Sequence, residues 1–575
     1  MLFPSPARTP SKGVDTLGPC RHVLRVTFCI LLALFIAAKS SHAVTCPVQP
    51  IHDISPAEQA FLEHNYDQAA KLYTDQLTQK PNDPELVAAL SQVLLRQQKV
   101  KDAQDLVQKA LVAKPDDPIL LTALGQVQYR AGTPWLAAGS AHKAMQLNPC
   151  LPELRLLEAQ LLRINSLYAS AATEVAMAHK LDPHDPMIRL QWINSLPPQD
   201  RIQELEAYLN SKTGDDEQDL ASLRRYLDHL RKQTEEPHKP CRLVSNTQTT
   251  DIPFISLMRD ATHIRGFGLD VKLNDHSARL QIDTGAGGIV VSRTVAERAG
   301  LQRFAEGKAS GIGNAGEKSA YSAYADDIRI GALEFKDCQV EVLDARNVVD
   351  NDGLIGMDVF SNFLVTLDYP LRKLTLGPLP KRPDEAAPAT PALQTGESSE
   401  SAGTASSSPS ASTDSAKAAP PHGPRDRYIA PEMKDWEKVY RIGHQLLMPT
   451  LLNDKVVKLF ILDTGAFSTT IDPDVAREIT KVHSNDNIRV KGISGSVDKV
   501  YTADDIDFKL GGVEQKNPDV VAFASPAMNR SLGMDVAGLI GITTLGQLTL
   551  QIDYRDGLVK FNYDPHRGYK YPGMH

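Results

Sequence analysis

The chain has 575 residues, too many for one domain. With 42% hydrophobic and 23% charged residues it holds enough apolar material for several cores. A net charge of −8 argues against a general nucleic-acid binder, because neutralising phosphates needs a basic surface.

At the N-terminus, Arg21 and Arg25 precede an apolar run from Val26 to Ala38. Ser41-His42-Ala43 then supplies the small-x-small pattern of a cleavage site. The run is short for a bilayer span, which needs about 20 apolar residues. Residues 1–43 therefore read as a signal peptide, and the chain is expected to be exported, periplasmic or secreted. Without cleavage the same run would tether it to a membrane. Processing leaves Cys46, Cys150, Cys241 and Cys338. These allow three disulfide pairings or four buried thiols, and their scattered spacing disfavours zinc.

The next segment repeats. Pro81, Pro115, Pro149 and Pro183 stand 34 residues apart, and so do Pro84, Pro118, Pro152 and Pro186. Ala69, Ala103, Ala137 and Ala171 keep the same step, as do Ala110, Ala144 and Ala178, and the small residues Ser91, Gly125 and Ala159. Small residues at fixed positions predict two closely packed helices per unit, with the prolines between units. Over residues 50–195 this resembles the tetratricopeptide repeat family, although the large aromatic that often opens such a repeat is absent. Leu205, Leu209, Leu220, Leu223, Leu227 and Leu230 continue at helical spacing and would cap an all-α solenoid. Residues 44–240 are assigned to this region, whose concave face would dock a protein partner or substrate.

After Ile252 the pattern turns to short β-type runs, such as Leu269–Leu273, Arg279–Ile282, Gly288–Val291 and Val340–Leu343. Residues 250–380 form one mostly-β domain. Residues 381–425 are mostly Ala, Pro, Ser, Thr and Gly with no aromatic residue, and read as a disordered linker. A second mostly-β domain covers 426–572 and repeats the first. Leu273-Asn274-Asp275 returns as Leu452-Asn453-Asp454, and Asp283-Thr284-Gly285-Ala286 as Asp463-Thr464-Gly465-Ala466. Ala325-Asp326-Asp327-Ile328 returns as Ala503-Asp504-Asp505-Ile506, Gly353-Leu354-Ile355-Gly356 as Gly538-Leu539-Ile540-Gly541, and Leu367-Asp368-Tyr369 as Ile552-Asp553-Tyr554. Collinear motifs at nearly constant offsets mean a tandem duplication.

In each copy an apolar strand runs straight into Asp-Thr-Gly, which sets the Asp at a strand end in a tight turn. A single carboxylate is a poor amide hydrolase. Two in contact cannot both ionise, so one can take a proton from water while the other gives one to a carbonyl. The constellation resembles the retropepsin-like aspartic protease family over about 260 residues in two blocks. That resemblance implies catalytic roles for Asp283 and Asp463, with Thr284, Gly285, Thr464 and Gly465 supporting the pair. It implies that Ile355-Gly356 and Ile540-Gly541 brace the catalytic loops. It also implies that Gly311-Ile312-Gly313 and Gly492-Ile493-Ser494-Gly495 are flap tips closing over a bound peptide, where an ordinary hairpin turn is the bland alternative.

Other readings fit less well. Gly311 to Gly316 matches a dinucleotide fingerprint but lies between no strand and helix of the required kind. Asp326-Asp327 and Asp504-Asp505 have no His or third carboxylate at ligand spacing, so no metal and no cofactor is expected. The expected function is an exported aspartic endopeptidase acting on a peptide or protein substrate. Its two half-sites would pair within one chain as a pseudo-dimer or between two chains as a homodimer. The alternative is a non-catalytic peptide-binding scaffold.

Overall fold

The computed structural model describes residues 46–51, 53–211, 217–235, 240–258, 260, 264–348, 351–383 and 424–566. The signal peptide read at 1–43, and residues 384–423 of the expected linker, lie outside the described residues. The architecture below belongs to the unit that begins at Val48.

Helices run from Pro56–Leu62 to Glu217–Glu235. The repeated prolines explain their boundaries. Pro84, Pro118, Pro152 and Pro186 each open a helix, where the missing N–H costs nothing. The aspartates before three of them, Asp83, Asp117 and Asp185, accept hydrogen bonds from the first-turn amides. The in-phase small residues lie where helices meet: Ala69, Ala103, Ala137 and Ala171 are all buried. A Cβ on Gly125 would lie 2.7 Å from Leu157 Cδ2, so Pro118–Arg130 and Pro152–Ile164 approach closely only with a small residue there. Leu205, Leu227 and Leu230 pack with Ile193 and Tyr208 at the end of the array.

Two β-rich lobes follow, built alike around their Asp-Thr-Gly strands. In the first, His276–Ile282 pairs antiparallel with Ile264–Leu273, and Gly353–Ile355 lies parallel to it with Ile355 opposite Ile282. In the second, Val456–Leu462 pairs with Gln445–Leu452, and Ile540 of Gly538–Ile540 stands opposite Leu462. The repeated Asn-Asp dipeptide turns each hairpin, with positive φ at Asn274, Asp275, Asn453 and Asp454. One repeated tetrapeptide is out of structural register. The Asp327 amide donates to the Asn274 side chain, whereas the amide that donates to the Asn453 side chain is that of Asp507, and Asn453 Nδ2 donates to the Asp505 carbonyl. The turn geometry sets the register, so the likeness of Ala503–Ile506 to Ala325–Ile328 is one of composition. Both aspartate pairs lie within long hairpin strands, Lys318–Ile330 and Tyr501–Leu510.

The lobes are fused. Strand Phe363–Asp368 of the first pairs antiparallel with Thr549–Asp553 of the second, in a six-stranded sheet drawn from both. One continuous hydrophobic core carries Leu280 and Phe335 of the first lobe and Phe460 and Phe508 of the second. Cys241 and Cys338 form a disulfide that ties the chain leaving the helices to the first lobe, and Cys150 is also disulfide-bonded. Arg382, assigned to the linker by composition, is instead buried against the fully buried Asp556. Asp556 also accepts a hydrogen bond from the Tyr428 amide at 2.8 Å, so the chain on both sides of residues 384–423 is fastened to one carboxylate.

Candidate active site

Each Asp-Thr-Gly loop hangs on the brace behind it. The Asp283 amide donates to the Ile355 carbonyl and the Asp463 amide to the Ile540 carbonyl, both at 3.0 Å. Gly356 donates to the Gly288 carbonyl at 2.7 Å, and Gly541 to the Thr469 hydroxyl at 3.1 Å. The lobes differ in how they fix the loop's far end. In the first, the Asp358 carboxylate accepts from Gly288, and burial pushes that carboxyl up. In the second, Thr469, Thr543 and Thr544 bond among themselves in its place.

The two loops meet face to face. The Thr284 hydroxyl donates to the Leu462 carbonyl at 2.6 Å and the Thr464 hydroxyl to the Ile282 carbonyl at 3.2 Å. This cross-bonding is buried and sets the two aspartates side by side. Each Asp Oδ1 accepts two amides of its own loop, from Gly285 and Ala286 at 2.9 and 3.1 Å, and from Gly465 and Ala466 at 2.9 and 3.0 Å. Each carboxyl group lies against the other loop's glycine: a Cβ on Gly285 would lie 2.8 Å from Asp463 Cγ. A Cβ at position 465 would lie 2.3 Å from Asp283 Cγ, so only glycine lets the carboxyl groups approach.

Burial, then the neighbouring Asp463 charge, push Asp283 well above the usual carboxylate range. Burial also raises Asp463, against the amides that favour its ionised form. Both shifts run upward, and two carboxyl groups so close favour holding one proton between them.

The glycine-rich tips also come together. Ser494 N–H donates to the Ile312 carbonyl at 3.0 Å, Gly311 N–H to the Ser494 hydroxyl at 3.1 Å, and Ala315 N–H to the Ser494 carbonyl at 2.7 Å. A Cβ on Gly313, whose φ is +126°, would lie 2.5 Å from the Gly495 carbonyl oxygen, and Gly492 is equally tight against Ile312. Ile312 packs on a second-lobe core that Ala466 also touches, and Ile493 on a first-lobe core that Ala286 touches. Each tip residue thus crosses toward the other lobe's Asp-Thr-Gly loop.

Two residues at the centre carry no motif, and a third, Ser494, is legible in the sequence only as part of a tip. His444, from the turn before strand Gln445–Leu452, places Nε2 3.1 Å from the Gly285 carbonyl oxygen. Gln281 donates from Nε2 to the Gly465 carbonyl at 2.9 Å and accepts from Asn351 at 2.7 Å. Ser494 joins the tips. Gln281 stands two residues before Asp283, but its counterpart Ile461 is apolar, so comparing the copies gives no sign of it. No group of His, Cys, Asp or Glu among the described residues is arranged to hold a metal ion.

Residues 269–362 match the family described as "gag-polyprotein putative aspartyl protease", residues 448–544 the family described as "Aspartyl protease", and residues 60–127 a tetratricopeptide repeat family. A curated relative, "DNA damage-inducible protein 1" of Neurospora crassa, is 29% identical over 112 residues, which is 19% of this chain and 24% of the relative. The chain thus spans about a quarter of that relative's length. A solved structure of a thermophilic TPR protein from Thermus thermophilus aligns at 19% identity and a TM-score of 0.26, covering 30% of this chain and 95% of that one. The family matches show that the chain joins a tetratricopeptide-repeat region to two aspartyl-protease domains of retropepsin-like type.

Proposed function

We propose that this chain is an aspartic endopeptidase whose centre is the Asp283–Asp463 pair of a single molecule. The observation that carries the reading is the juxtaposition of two half-buried carboxyl groups on loops locked by reciprocal threonine bonds. With the shared proton on Asp283, Asp463 takes a proton from a water lying between the two carboxyl groups. The hydroxide attacks the peptide carbonyl carbon, and Asp283 gives its proton to the carbonyl oxygen. Collapse of the tetrahedral intermediate breaks the C–N bond, with the proton gained by Asp463 passing to the leaving amine and a hydroxyl proton of the intermediate returning to Asp283 as the carbonyl reforms. The joined tips are proposed to hold an extended peptide over the pair, a role supported by their packing on the clusters that Ala286 and Ala466 touch.

The test is cleavage of a general peptide library from acid to neutral pH, with and without a pepstatin-type inhibitor, by the wild type and by Asp283→Asn and Asp463→Asn. Loss of cleavage in both variants is expected. A wild type that cuts nothing sinks the reading, and retained peptide binding in that case would favour the scaffold alternative. Full activity in either single variant would defeat the shared pair.

The reading extends to location and partners. The Cys241–Cys338 disulfide supports export, because such bonds persist in oxidising compartments. The repeat region is proposed to bind a protein partner or substrate, as stacked helix pairs offer an extended concave face.

A further inference from the structure

The repeat helices grip the second lobe beside the aspartate pair. Arg130, at the end of helix Pro118–Arg130, has a largely buried side chain whose Nη1 lies 2.7 Å from Asp535 Oδ1. The same residues are joined through their backbones, since the Asp535 amide donates to the Arg130 carbonyl at 2.8 Å. Two residues on, Gly132 has φ +71°, and a Cβ there would lie 2.0 Å from the Asp535 carbonyl oxygen. Around this contact Tyr129, Trp135 and Ile164 pack with Ile461, Val536 and Leu539 in one apolar cluster. Ala466 of the catalytic loop and the tip residue Ile312 pack on that cluster too.

Asp535 stands at the head of the stretch that becomes strand Gly538–Ile540. Ala537 N–H bonds to the Leu459 carbonyl at 2.7 Å, and the Ile540 carbonyl receives the Asp463 amide. A short, continuously bonded path therefore leads from Arg130 to Asp463. In the first lobe the corresponding stretch is held from within. Arg265 bonds to Asn351, and the Asp352 carboxylate accepts the Arg279 amide at 2.9 Å. The second lobe has Asn529, which accepts the Val536 amide at 3.3 Å, and Lys458 near Asp535, but the cation paired with Asp535 comes from the helices.

We infer that the repeat region is a working part of the catalytic unit, with Arg130 a positioning residue that sets strand Gly538–Ile540, and through it Asp463, by way of Asp535. This rests on the endopeptidase reading for its kinetic consequence, though not for its structural one. A separable docking arm could be altered without effect on short substrates. A positioning element could not.

The test uses the full chain and a fluorogenic peptide too short to reach the concave face of the repeats. Arg130→Ala is expected to lower kcat about fivefold or more with KM nearly unchanged, in line with the coupling of contacting residues. Hydrogen exchange at the amides of residues 536–540 should quicken in the same variant. Arg130→Asp combined with Asp535→Arg should recover part of both losses, while Lys143→Ala, an exposed change on the repeats, should alter neither. Wild-type kcat and wild-type exchange in Arg130→Ala would overturn the inference. So would a loss seen only in KM, or a global loss of protection that the charge-swapped pair does not relieve. If the wild type cleaves no peptide the endopeptidase reading fails, and the exchange measurement alone still decides the latch.

Discussion

The amide of Thr284 donates to the hydroxyl of Thr464 at 3.0 Å, and the amide of Thr464 returns the bond to Thr284 at the same distance. Each hydroxyl then donates onward to the other lobe's backbone, so four buried bonds span the join. Thr284→Val keeps the shape and removes the hydroxyl, leaving a buried amide without its acceptor. The expected cost is about 1 to 3 kcal/mol of stability and a large loss of turnover. Thr284→Ser keeps the bonds and should stay within about 1 kcal/mol of the wild type. Thermal unfolding and peptide cleavage on the same samples check this, and equal effects of Val and Ser would contradict the proposed role.

The pH dependence follows from the direction of the aspartate shifts. A carboxyl raised in the folded state binds more protons there than in the unfolded chain, between its unfolded and folded pKa values. Stability contributed by Asp283 is therefore fully present below the ordinary carboxylate range and falls as pH rises toward its folded pKa. Asp283→Asn removes the ionisable group, so at neutral pH it should stabilise the chain by on the order of 1 kcal/mol while abolishing cleavage. Unfolding midpoints of both proteins across pH 3 to 8 would show it as a gap that opens with rising pH (about 4 upward). A gap that closed with rising pH would contradict the assignment.

His444 and Gln281 perform matching tasks with different chemistry, each holding the carbonyl of the opposite loop's glycine. His444→Gln can still donate, whereas His444→Ala cannot. The alanine variant is expected to lose about threefold to tenfold in kcat/KM, and the glutamine variant to recover most of it. A positive charge at His444 would also favour the ionised forms of Asp463 and Asp358, with Arg441 acting likewise on Asp358. Removing it should therefore move the acid limb of the rate profile to higher pH in both variants. A profile left unmoved would separate the hydrogen bond from the charge.

Asp556 is buried with Arg382, and the Tyr428 amide shares its carboxylate. Asp556→Ala strands a buried guanidinium and should cost about 3 to 5 kcal/mol. Replacing residues 384–423 by a short Gly/Ser bridge should leave stability and peptide cleavage at wild-type levels, because their flanks are already fastened at one point. Loss of activity on shortening would show that the segment does more than connect.

Much of this was legible in the sequence because it is written twice. The spacing of Pro84, Pro118, Pro152 and Pro186 marks the helix starts, since each helix must begin where a proline is tolerated. The two Asp-Thr-Gly strands and their braces are recoverable from each other. What differs between the copies is hidden for the same reason. His444 reaches Gly285 across 159 residues, and Arg130 reaches Asp535 across 405, with no local periodicity to announce either contact. The Asn453–Asp507 bond shows the limit of matching short words, because hairpin geometry pairs residues that the letters do not.

The sheet that joins Phe363–Asp368 to Thr549–Asp553 has a kinetic meaning. A centre assembled from two separate chains comes apart when the protein is diluted, and its turnover per molecule falls with it. Here the halves can separate only by unzipping a sheet and opening a shared core, at a cost that does not depend on how many other copies are present. A single molecule, alone in its compartment, would keep its centre whole.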